Sequence, residues 1–246
     1  MKKIISLLLI CFSSALIAQN ENPVDAYTYE RGDPNGTGKR YLGREIAHVM
    51  GFEGMSWLNR PEREKEENTA KLIKNMNIEP GDTIADIGAG SGYHVFKMAP
   101  MAKDVFVYAV DIQDEMLAVM DYRIENLEID NVAVTKGSEE GVNLPENSVD
   151  KILMVDVYHE FSYPIEMMAS IKKALRADGK IYLIEYRAED PMVPIKEVHK
   201  MSEEQAVKEF EAAGFKLEIN KSNLPWQHCM VFVKEVSDPE RFGVVE

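Results

Sequence analysis

The feature that most constrains this chain is Ile84-Ala85-Asp86-Ile87-Gly88-Ala89-Gly90-Ser91-Gly92-Tyr93, an apolar run that ends in glycine at every second position. The run reads as a buried strand, and glycines let the following backbone turn tightly and approach a ligand closely. A helix beginning there would present free N–H groups to that ligand. Strand, glycine loop and helix in succession begin a βαβ unit, which commits the chain to parallel pairing. The dinucleotide fingerprint G-x-G-x-x-G needs its third glycine at position 93; that position is tyrosine, and the third glycine comes one residue early, at Gly92. Asp86 lies inside the strand, two positions before the first glycine. Asp111 follows Gly92 by nineteen residues, at the end of the next apolar run, where a carboxylate can accept both hydroxyls of a ribose.

The rest of the chain repeats that alternation. Short Val- and Ile-rich runs at 83–87, 105–110, 132–135, 151–155 and 180–184 are separated mostly by helical periods at 93–99, 114–126 and 164–175. This is the pattern of a doubly wound, Rossmann-like α/β sheet whose central strands are buried on both faces. A further helix is expected over 202–213, with Ser202 and Gln205 spaced as a capping box and Gly214 ending it. Runs at 216–220 and 230–235 have no helix between them, so an antiparallel hairpin should close a seven-stranded sheet.

The N-terminal third reads differently. Lys2 and Lys3, an apolar stretch from Ile4 to Ala18 and then a polar break describe a secretory signal peptide, too short for a typical span. Cleavage after Ala18 leaves 228 residues and sends the product to the periplasm or outside the cell. The expected layout is a signal peptide over 1–18, an extended arm over 19–40, a helical lid over 41–80, the sheet domain over 81–236 and a tail over 237–246. Within the lid, Arg44–Met50 reads as a short amphipathic piece. Pro61 suits a first helical position, with acidic residues in the early turns after it.

Charge narrows the partners. The chain has 28 Lys and Arg against 42 Asp and Glu, a net of −14 that becomes −16 once Lys2 and Lys3 leave. Phosphate binding needs clustered cations, so nucleic acid and anionic membranes are disfavoured and small molecules or proteins remain as partners. Loss of Cys11 would leave Cys229 alone in an apolar stretch, as a small buried hydrophobe.

From about Glu62 to Lys234 the sequence resembles the class I S-adenosylmethionine-dependent methyltransferases, on the acidic-x-Gly-x-Gly-x-Gly loop and the later Asp111, Leu144-Pro145, Val149-Asp150 and Asp156–Glu160 segments. The resemblance implies S-adenosylmethionine as cofactor. Asp86, Gly88, Ala89, Gly90, Ser91 and Gly92 would then form the loop under its methionine part, and Asp111 would hold its ribose. Ile112 and Met116 would sit near the adenine. Family members often carry Gly-Asp after the third strand; Gly137 is followed here by Ser138 and Glu139, so Glu139 would replace that contact. The segment from Gly43 through Glu64 loosely resembles the N-terminal extension of a group of exported methyltransferases of undefined substrate, and implies a lid with Arg60 or Arg63 facing a carboxylate.

Reactive groups in a parallel sheet belong at the carboxyl ends of its strands. Two segments there are unusually polar, Asp156-Val157-Tyr158-His159-Glu160 and Glu185-Tyr186-Arg187. His159 is the best base, with an ordinary pKa near about 6.5; Glu160, Glu185, Arg187 and His199 complete the catalytic candidates, with Asp156 assigned to the cofactor. A cluster of His159, His199 and His228 is conceivable, but the spacing has no metal signature and no metal is assigned. Two other readings stand beside the enzyme: a non-catalytic nucleoside-binding protein of the same fold, and a nicotinamide-dependent oxidoreductase, which the early third glycine disfavours.

Overall fold

The computed structural model describes residues 26–235; the expected signal peptide and the tail lie outside them. The first described segment is a three-stranded antiparallel sheet of β1 (Tyr27–Tyr29), β2 (Gly36–Tyr41) and β3 (Arg44–Ala47). This corrects both the extended arm and the helical reading of Arg44–Met50. Tyr41 pairs with Arg44, so Leu42-Gly43 is a two-residue hairpin loop, with φ of 49° and 97°. Positive φ at both central residues matches the twist of the flanking strands. Four residues of strand, with Ile46 and Ala47 both buried, are too few to distinguish a period of two from one of 3.6.

Three short helices follow: α1 (Met55–Leu58), α2 (Arg63–Glu67) and α3 (Thr69–Met76). The helix expected from Pro61 is split at Asn68, whose φ of 56° ends α2 while its side chain caps α3 by accepting from the Lys71 N–H.

The main sheet comprises β4 (Thr83–Ile87), β5 (Phe106–Asp111), β6 (Val132–Lys136), β7 (Val149–Val155), β8 (Leu175–Ile184), β9 (Phe215–Asn220) and β10 (Met230–Lys234). Its order is β6-β5-β4-β7-β8-β10-β9, parallel except at β10, which runs antiparallel to both neighbours. Helices α4 (Val95–Met98), α5 (Asp114–Asn126), α6 (Pro164–Ala174) and α7 (Glu203–Ala212) connect the strands. Ser202 caps α7 by accepting from the Gln205 N–H, and the Gln205 side-chain amide donates to Leu42 O and Glu209 Oε1. The core has two layers. On β7, Ile152 and Met154 pack into one and Leu153 into the other, as strand alternation requires.

Strand order reverses at β4: the chain runs outward through β5 and β6, then crosses back to β7. Such a switch point opens a crevice at the carboxyl ends of β4 and β7, where ligands bind in open α/β sheets. The N-terminal sheet is fastened over it. Arg44 donates to both oxygens of buried Glu209 at 2.7 and 2.9 Å, and to His159 O at 3.0 Å. Lys39 donates to Ser162 O at 2.6 Å, with its ammonium over the rings of Tyr27 and Tyr163.

Candidate active site

A cavity of about 460 Å³ occupies the crevice, within the usual range for a small-molecule site. Its first side is built from main chain. Gly88 and Gly90 line it with φ of 72° and 55°; a Cβ at Gly88 would stand 2.4 Å from Val157 Cγ2, and one at Gly90 2.7 Å from Leu58 Cδ1. Both positions favour glycine on conformational grounds, and Gly88 on steric grounds as well. Asp111 accepts from the Gly90 N–H at 2.8 Å and the Gln113 N–H at 2.9 Å, which locks its carboxylate between loop and helix start. Ile112, Met116, Ser138 and Glu139 also line the cavity.

The remaining loop residues support rather than line. Gly92 packs on Phe96 and Met120, Ala89 joins the core, and Ser91 pairs with Asn59 of the lid at 3.0 Å. Asp86 is buried beneath the loop. Burial pushes its pKa up to about 7, with Arg63 pulling it down and Asp111 adding to the rise.

One end of the cavity is strongly polar. Asp156 sits just past β7 at φ 51°, with Oδ2 accepting from Gln227 Nε2 at 2.7 Å. Its Oδ1 and the Oδ2 of Asp86 are buried with no hydrogen-bond partner among the described residues. Burial, with Glu67 and Glu185 nearby, raises the Asp156 carboxyl well above its usual range. Arg63 lines the same cavity and donates to Glu67 at 2.7 Å and Leu58 O at 2.8 Å, while Glu67 also receives Arg60 and the Tyr186 hydroxyl. Both lid arginines thus pair with Glu67, and Arg60 pairs with Glu66 as well.

The second polar group is made of side chains from distant segments. His159 and Glu160 stand on the 3-10 turn Tyr158–Glu160 after β7, and His199 on the 3-10 turn Glu197–His199. His159 Nδ1 lies 2.6 Å from Glu185 Oε2 and Nε2 lies 3.1 Å from His199 Nδ1. Glu185, fully buried just past β8, also accepts from the Tyr158 and His159 N–H groups, which fixes the turn. Burial by itself would lower the His159 pKa, but the Glu185 carboxylate reverses this and the net shift is upward. His199 moves the other way, down to about 4, through burial and the neighbouring His159 and Lys196. Glu160 is pushed up to about 7 by burial, against His159, and accepts from the Met50 N–H at 3.2 Å. His159, Glu160 and His199 all face the cavity.

Two expected residues lie elsewhere. The Arg187 guanidinium donates to Leu224 O and Pro225 O and does not line the cavity; it pins the loop before β10. His228 is held between Glu189 and Asn220, so it does not converge with His159 and His199. Gln227, Glu67 and Tyr186 were missed as site residues. A glutamine flanked by Trp226 and His228 in a loop was the available signal for the first; the others meet the site only through packing.

The chain matches the methyltransferase-domain family over residues 78–232, and it belongs to that family. Its relatives include the uncharacterized methyltransferase YdaC of Bacillus subtilis, 29% identical over 143 residues, spanning 58% of this chain and 76% of YdaC. The uncharacterized methyltransferase YcgJ of the same organism is 23% identical over 164 residues, 65% of this chain and 64% of YcgJ. A solved S-adenosylmethionine-dependent methyltransferase from Aquifex aeolicus superposes with a TM-score of 0.70 at 24% identity, over 75% of this chain and 98% of that one. This chain is therefore an enzyme of the class I methyltransferase type, and the family implies S-adenosylmethionine as its cofactor.

Proposed function

We propose that this protein transfers a methyl group from S-adenosylmethionine to a small-molecule or protein acceptor activated at His159, Glu160, Glu185 and His199. The residues present fit the cofactor. Asp111 has the position for a ribose, Ile112 and Met116 for a nucleobase, and Ser138 and Glu139 for its polar edge. The orphaned oxygen of Asp156, which lines the cavity, calls for a buried positive donor, which the cofactor's ammonium supplies; Arg63 suits its carboxylate, and Asp86 stays beneath the loop. When bound, the cofactor supplies a methyl carbon on a good leaving group.

The observation that carries the acceptor side is the His159–Glu185 contact at 2.6 Å. A carboxylate on Nδ1 fixes the ring and strengthens the lone pair at Nε2, so that His159 can draw a proton from an acceptor's nucleophile. The lid residues Met50, Trp57 and Leu58 wall the cavity with apolar surface. Titration calorimetry tests the reading: S-adenosylmethionine should bind, and Asp111→Ala should abolish binding without unfolding the protein. Binding of a nicotinamide dinucleotide instead would overturn it. Export is part of the same proposal. Sequencing of the mature N-terminus should find Gln19 first, and an intact Met1 on the soluble protein would defeat it.

A further inference from the structure

The cluster facing the acceptor side has a geometry that proton transfer alone does not require. Three donor atoms converge there: His159 Nε2 and His199 Nδ1 at 3.1 Å, Glu160 Oε1 to His199 Nδ1 at 3.6 Å, and Glu160 Oε1 to His159 Nε2 at 3.9 Å. A cation bonded at about 2.1 Å to imidazole nitrogen and carboxylate oxygen holds its ligand atoms about 3.0–3.4 Å apart. The two nitrogens already stand at that separation, and Glu160 needs a movement of only about half an ångström to reach it.

From this convergence we infer that His159, Glu160 and His199 bind a divalent transition-metal cation of the zinc type, with an open position toward the methyl-transfer cavity.

Several features of the chain serve such a site. Two imidazoles and one carboxylate form a donor set suited to a catalytic rather than a structural cation, because a fourth position remains for water or substrate. Glu185 Oε2 accepts a hydrogen bond from His159 Nδ1–H, which holds the tautomer whose Nε2 lone pair can ligate; a carboxylate behind a ligating histidine is the usual outer-shell device. Two acidic side chains, Glu160 and Glu185, offset the cation's charge. Among the described residues, this is the group of His, Cys, Asp and Glu side chains that converges closely enough to ligate.

The inference rests on the proposed methyl transfer only for what the cation does, not for whether it binds. An acceptor hydroxyl or thiol in the open position would lose its proton on coordination, released to solvent. The lone pair of His159 would then be given to the cation rather than to a proton. The acceptor class is thereby narrowed to molecules with a protic oxygen or sulfur able to ligate.

The test uses the full chain, stripped with a chelator, then titrated with zinc by calorimetry and with cobalt by absorbance. One equivalent should bind, and cobalt should give visible bands of a four- or five-coordinate site. His199→Ala, at a half-buried position where loss of the fold is not expected, should weaken zinc at least about 100-fold, and Glu185→Gln by about 10–100-fold. His228→Ala, outside the cluster, should change nothing. Failure to bind zinc, or binding that His199→Ala leaves intact, overturns the site. Titration of S-adenosylmethionine into the same samples separates the two ideas. Cofactor binding without zinc binding defeats the cation alone, and zinc binding without cofactor binding defeats the proposed function alone.

Discussion

The two sides of the cavity are built by different means. Around Gly88, Gly90 and Asp111 the working parts are main-chain N–H groups and one carboxylate they hold, all within two adjacent strand ends. Around His159, Glu160 and His199 they are titratable side chains from separate turns, brought together by Glu185 and by an N-terminal sheet that packs on top. The first side is a property of the local backbone, and any chain with that strand and loop has it. The second exists only when several distant segments have docked, so recognition of the cofactor and activation of the acceptor should be separable.

The largest expected effect tests that separation directly. His159→Ala should lower turnover by about 10²–10⁴-fold while leaving S-adenosylmethionine affinity, read by calorimetry, within about twofold. A parallel loss of cofactor binding would show that the two sides are one unit. Next comes the fastening of the N-terminal sheet. Glu209→Ala leaves the buried Arg44 guanidinium uncompensated and should cost about 3–5 kcal/mol in urea unfolding. A cost under about 1 kcal/mol would mean that the sheet sits there without holding the fold.

On the main-chain side, Gly88→Ala forces a side chain into left-handed backbone and onto Val157. It should weaken the cofactor by roughly tenfold, the equivalent of about 1–2 kcal/mol of strain. Measured zinc affinity should not move. The smallest effect is in pH. The folded Asp86 carboxyl keeps its proton up to about pH 7, whereas the unfolded one loses it near the ordinary value of 3.8. The folded state therefore holds the extra proton in that window, and this group's contribution makes stability fall as pH rises through it. Asp86→Asn should flatten the dependence of Tm on pH between 4 and 7.

The same division governs what could be read from sequence. The bounds of β4 and α5 coincide with their periodic apolar runs, because a strand buried on both faces and a two-faced helix write their period into the residues. Gly88, Gly90 and Asp111 were legible for the same reason: local geometry dictates the residue type. His159 and His199 were legible as candidates but not as neighbours, since forty positions separate them and only packing brings their rings within 3.1 Å. Arg187 misled because its place past a strand end is shared with residues that face the cavity, while its guanidinium finds loop carbonyls instead. The β2–β3 hairpin was missed because leucine at positive φ is an uncommon residue for that turn.

The contact between Arg44 and Glu209 spans 165 positions of chain. During synthesis the N-terminal sheet emerges early, yet its anchor is not made until α7 is nearly complete. Loops of that length close late, after nearer contacts have formed. The same guanidinium holds His159 O, so the turn carrying the proposed base should be completed late in folding. Refolding followed by two signals should therefore show cofactor binding recovering first and turnover second, with the interval lengthened in Arg44→Lys. The chain would recognise its methyl donor before it was able to spend it.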